Sequence, residues 1–102
     1  MGGRGSTGNS RTLRGQAAVS AVSKLNVGSK IAITYSTGRG SVTDTLELKQ
    51  SHDMMGRAAK MWINQTNNGG FANIGERFDA SQITSLLSSP IRAPKLKIIK
   101  KK

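Results

Sequence analysis

Cysteine is absent from this 102-residue chain, and histidine occurs once, as His52. The first absence excludes disulfides and thiolate metal sites, and a lone imidazole leaves a zinc centre without its usual ligands. No metal or other cofactor is expected. No apolar run approaches the roughly 18 residues a membrane-spanning helix requires, and no secretory hydrophobic region follows the first residues. The expected location is therefore cytoplasmic, with no membrane partner. Acids are also scarce: five Asp and Glu stand against sixteen Lys and Arg, a net charge of +11.

The placement of that charge is informative. Residues 1–43 contain no acid and carry +6, residues 44–79 carry −1, and residues 80–102 carry +6. A near-neutral centre between basic flanks suits a packed module with arms for a polyanion. An ordinary solvated surface would intersperse acids among the bases.

The opening, MGGRGSTGNSRTLRG, admits three readings. It fits a myristoylation pattern, with Gly2 as acceptor and Ser6 in place. It has the acid-free, Arg- and Ser-containing composition of an organelle transit peptide, although Gly2, Gly3, Gly5, Gly8 and Gly15 oppose the helix such peptides form. The third reading fits best: a disordered basic arm over residues 1–15, too poor in apolar surface to fold and charged enough to follow a phosphate backbone.

Residues 16–91 hold the usable hydrophobic pattern, one small domain that buries about 60% of its unfolded surface. Ala18, Val22 and Leu25 keep helical spacing and predict a short helix ending near Asn26, with a strand from Val19 as competitor. In KIAITYS, Ile31, Ile33 and Tyr35 alternate with Ala32 and Thr34, a strand pattern. The glycines of TGRG then signal a hairpin turn. In SVTDTLELKQ, Val42, Asp44, Leu46 and Leu48 share one face. Strands are expected at 30–36 and 41–49, a third in RAAKMWINQ and a fourth in FANIGERF, with Ala72, Ile74 and Phe78 inward. The segment DASQITSLLSS offers Asp79 as the N-cap of one helical turn, or a short fifth strand. Pro90 and Pro94 are expected to end ordered structure and release a basic C-terminal tail over residues 92–102. The predicted class is mainly β (α+β): a small curled antiparallel sheet, or an SH3- or Sm-like barrel, of four to five strands with one N-terminal helix and disordered basic tails.

No catalytic constellation emerges, and the chain is not expected to be an enzyme. His52-Asp53 lacks the further ligands of a metal-dependent phosphohydrolase and reads as a polar loop. GRG and NNGG lack the lysine and following helix of a P-loop. Asn64-Gln65-Thr66 is a glycosylation sequon in a chain without a recognisable secretory signal.

The basic residues carry the functional expectation. Arg4, Arg11, Arg14, Arg92, Lys95, Lys97, Lys100, Lys101 and Lys102 would grip phosphates from the two arms. Lys30, Arg39 and Lys60 would orient the nucleic acid on the domain. Arg39, at a hairpin tip, is either a groove-probing fork or an exposed turn residue. Trp62 is either core or, beside Lys60, a stacking platform for bases. Nucleic acid, DNA or RNA, is the expected partner, bound with little sequence preference in a regulatory role.

The runs IAITYSTGRGSVTDTLEL, MWIN and RFDASQITSL, within residues 29–88, resemble the Sm-like β-barrel of WYL domains. Only Trp62 of the signature tripeptide agrees. The MGGRGS start resembles those of small phage and mobile-element proteins. These resemblances imply regulation or counter-defence around nucleic acid. The alternative function is thus a phage or mobile-element inhibitor, anti-CRISPR-like, that docks on a host protein or nucleoprotein. The oligomeric state is left open, since an uncovered edge strand would permit pairing between copies.

Overall fold

A computed structural model describes residues 12–66, 74–89 and 91–102. The elements run β1 (Thr12–Leu13), α1 (Gly15–Ser23), β2 (Lys30–Thr37), β3 (Gly40–His52), β4 (Ala58–Asn64), β5 (Arg77–Phe78), α2 (Ala80–Ser88) and β6 (Lys95–Lys100). All strands join one antiparallel sheet in the order β1-β6-β2-β3-β4-β5. The mainly β, α+β class expected from the sequence is what the chain adopts. Among the described residues no ladder joins β5 back to β1, so the sheet stays open rather than closing into a barrel.

The β2–β3 hairpin forms where alternation predicted it. Register pairs Ile31 with Leu46, Ile33 with Asp44 and Tyr35 with Val42. Gly40, at φ +119, supplies the left-handed backbone of the turn, which side-chain-bearing residues rarely adopt. The first helix also keeps its predicted face: Ala18, Val22 and Leu25 are all buried. The helix proper ends at Ser23, with Lys24 as its C-cap, and Leu25 packs from the following turn.

The C-terminal segment departs from expectation. KLKIIK is no tail; it is β6, lying between β1 and β2 in the sheet interior. Leu96 pairs with Ile33 on one side and Leu13 on the other, and it is fully buried. Three apolar residues among lysines gave too weak a local signal. The ladder bonds that stabilise the segment come from partners more than sixty residues away in sequence, as the pairing of Ile33 with Leu96 shows. The same pairing orders Thr12 and Leu13, which sequence reasoning placed inside the disordered arm.

Two further corrections concern the region after β4. The fourth expected strand contracts to Arg77–Phe78, and Ile74 is exposed rather than inward; residues 71–73 lie outside the described residues. DASQITSLLSS is a second helix, α2, of nine residues rather than one turn. Asp79 does cap it: its carboxylate accepts from the Gln82 N–H at 2.8 Å, and the Gln82 side chain accepts from the Asp79 N–H at 2.9 Å. That reciprocal capping box satisfies donors at the helix start that have no intrahelical partner.

Both helices lie on one face of the sheet. Ala18 and Val22 of α1, Ile83 and Leu87 of α2, and Ile31, Ile33, Leu46, Leu48, Trp62 and Leu96 of the strands form one continuous core. Among the described residues, neither helix packs on the opposite face of the sheet.

Candidate nucleic-acid interface

Side chains alternate between the faces of a strand, so the core positions determine what the open face displays. With Leu96 inward, Lys95 and Lys97 face outward on β6. With Ile31 and Ile33 inward, Lys30, Ala32 and Thr34 face outward on β2. Their β3 partners are Glu47, Thr45 and Thr43, and Lys49, paired with Met61 of β4, continues the same face. Across the ladders, Lys95 stands beside Thr34 with Thr43 one strand beyond, and Lys97 stands between Thr12 and Ala32 with Thr45 one strand beyond. Thr34 and Thr43 share a hydroxyl hydrogen bond of 2.9 Å, forming a neutral polar step between the charges. Lys30 stands between Glu47 and Lys100, where a bulge interrupts the β2–β6 register.

At the far side of this face, Arg77 reaches from β5 across β4 to β3. Its guanidinium donates to the His52 carbonyl at 3.0 Å and the Ser51 hydroxyl at 3.4 Å. Met61, which shares this face of β4, is buried at 5% exposure. It lines a small cavity with His52, Arg77 and, at the start of α2, Asp79 and Gln82. The open face therefore bears Lys30, Lys49, Lys95, Lys97 and Arg77 against one acid, Glu47. Sequence reasoning missed Lys49 and Arg77. Lys49 was legible, since it follows Glu47 at strand period on the face opposite Leu48.

The structure disperses the other predicted site residues. Lys101 and Lys102 finish the chain against the loop entering β2, where the Lys102 carbonyl accepts from the Asn26 side chain at 3.2 Å. Arg39 sits in the β2–β3 turn and is exposed, and Arg14 is the exposed residue preceding α1. Lys60 lies on the helix-bearing face, at the mouth of an apolar cleft of about 200 Å³ between α1 and α2. Arg4 and Arg11 lie outside the described residues.

Trp62 is not a surface platform. It pairs with Leu48 inside the core and is 3% exposed, so its ring has no open face for a base. Tyr35 is 2% exposed and Phe78 packs against the same core. Among the described residues, the open face carries no aromatic ring.

Tyr35 and Arg92 instead border a groove of about 440 Å³ with Phe78, Ser85 and Leu86. Burial pushes the Tyr35 phenol up to about 12, the Asp44 carboxylate adds to that rise, and the Arg92 guanidinium opposes it. At neutral pH this phenol keeps its proton and is no base. Asp44, inward on β3 as the alternation predicted, is 1% exposed and forms part of this charged group. The sequon asparagine, Asn64, is fully buried, and its side-chain oxygen accepts from the Thr66 N–H at 3.1 Å. Among the described residues, no group of three potential metal ligands occurs, and no helix is long and apolar enough to cross a membrane.

No family model matches the chain, and neither a curated protein nor a solved structure does.

Proposed function

We propose that this protein binds nucleic acid through the open face of its sheet, by phosphate contacts with little sequence preference, in a regulatory role. The observation that supports this reading is the helix-free face on which Lys30, Lys49, Lys95, Lys97 and Arg77 meet a single acid. Lysines and hydroxyls at strand spacing suit a phosphate backbone, whose contacts position the partner without reading its bases. The lack of an aromatic ring on this face among the described residues argues against a single-strand platform, which depends on bases stacked on rings. A double-stranded partner, bound from the outside, fits better. The basic opening segment adds charge to the same purpose.

Fluorescence anisotropy with duplex DNA, structured RNA and single-stranded DNA, between about 50 and about 200 mM salt, tests this. Duplex affinity should fall steeply with salt. Lys97→Ala should flatten the log–log slope by roughly 0.9, the value for one lost phosphate contact. Absence of binding to every probe at low salt would overturn the reading. The basic face would then be sought on an acidic protein surface, as the docking-inhibitor alternative requires.

A further inference from the structure

The β3–β4 hairpin carries an unusual tip. Met54 is 97% exposed and Met55 78%, adjacent to each other at the end of a two-stranded ribbon. Single apolar residues on a surface need no explanation. These two, however, sit on a turn held by several bonds to one residue. The Asp53 carboxylate accepts from the backbone N–H groups of Met55 and Arg57, each at 2.9 Å, and pairs with Arg57 Nε at 3.2 Å. The Asp53 N–H donates to the Arg57 carbonyl at 2.9 Å, and the Gly56 N–H returns to the Asp53 carbonyl at 3.0 Å. Gly56, at φ +83, takes a conformation that favours glycine. The turn thus holds the methionines out in water before any partner arrives, which lowers the ordering cost of inserting them.

The charges around the tip say what it suits. Lys49 pairs with Met61 and Gln50 with Lys60, so Lys49 and Lys60 project from opposite faces of the ribbon. Arg57 stands at the turn itself, 77% exposed, but its charge is matched there by the Asp53 carboxylate at 3.2 Å, so the flanking cations are Lys49 and Lys60. An apolar point flanked on both sides by cations complements a groove with an apolar floor of stacked bases and a phosphate wall on each side. Methionine is among the side chains that wedge between base steps from the minor groove and kink the duplex.

We propose that the β3–β4 hairpin is a duplex-DNA wedge: Met54 and Met55 insert at a base step from the minor groove, while Lys49 and Lys60 engage the flanking phosphates. This rests on the nucleic-acid reading above and deepens it, since the hairpin supplies deformation where the sheet face supplies electrostatics. Preference would go to flexible pyrimidine–purine steps, which unstack at least cost.

The test uses the full chain and a short duplex DNA labelled with a donor and an acceptor at its two ends. Binding of the natural sequence should raise energy transfer, as a kink of roughly 20–90° brings the ends together. The double variant Met54→Ser/Met55→Ser changes only exposed side chains and no charge. It should bind with an unchanged salt slope and lose the rise in energy transfer. Equal energy transfer in both proteins, or none in the natural one despite binding, would overturn the wedge and leave the nucleic-acid reading intact. Failure of the natural protein to bind any nucleic acid would remove both. Phosphatidylglycerol vesicles form a further arm. If only the natural protein binds them and bending does not differ between the two proteins, the tip addresses lipid and the proposal fails.

Discussion

The backbone N–H of Lys102 donates to the hydroxyl of Ser29 at 2.9 Å, and Ser29 is fully buried. The last residue of the chain is thereby fastened to the loop that enters β2, and β6 is held at both ends: the Ser36 N–H donates to the Arg92 carbonyl at 2.8 Å just before the strand. Residues 95–102 are consequently part of the folded body. Deleting them should abolish the fold, read as loss of the cooperative thermal transition by circular dichroism. Leu96→Ala should cost about 2–5 kcal/mol in denaturant titration. A truncated chain that keeps its cooperative unfolding would contradict the placement of β6.

Trp62 is the only tryptophan and is 3% exposed, so its fluorescence reports the core. Emission should be blue-shifted, resist iodide quenching and remain unchanged when nucleic acid saturates the protein. Trp62→Ala should destabilise by about 3–5 kcal/mol through cavity formation. Quenching by bound single strands would instead place the ring at the interface.

Tyr35 is the only tyrosine, and its phenol is raised to about 12 by burial first and the Asp44 carboxylate second. A raised pKa means the folded state holds its proton where the unfolded chain, near 10, has released it. This contribution to stability is therefore fully present below about pH 10 and is lost as pH rises from about 10 to about 12. Ultraviolet titration of the phenolate should give a midpoint near 12. Tyr35→Phe should remove that component of the alkaline loss of stability. A midpoint near 10 would show that the phenol meets solvent.

Asp79→Ala removes the capping box of α2 and should cost about 0.5–2 kcal/mol. The denaturant midpoint should fall with an unchanged m-value, since the surface exposed on unfolding stays the same. Asp79→Ser should recover much of the loss, because a hydroxyl can also accept from the Gln82 N–H. An alanine variant as stable as the natural chain would show that packing of Ile83 and Leu87 alone holds the helix.

Several elements were legible from short windows of sequence because their determinants are local. Alternation in KIAITYS and SVTDTLELKQ placed the β2–β3 hairpin and assigned Asp44 to the same face as Leu46. The same period placed β4 but left the direction of Trp62 open, because Met61 and Trp62 are both apolar and period two cannot choose between them. The structure buries both, Trp62 beneath the helices and Met61 on the Arg77 side. The candidate site was less legible than the fold. Lys30, Lys95 and Lys97 share a face only because β6 enters between β1 and β2, whereas Lys60, equally basic, falls on the other side.

Charge, the absence of cysteine, the central hairpin and the Asp79 cap were determined by the sequence itself, through interactions spanning a few residues. The strand at Lys95–Lys100 and the pairing that orders Thr12 and Leu13 were decided only in the tertiary structure. So was the gathering of cations on one open face. A ladder hydrogen bond has no local signature in either strand: its stability depends on a partner brought by the topology, and the lysines of β6 became a surface when Leu96 found Ile33.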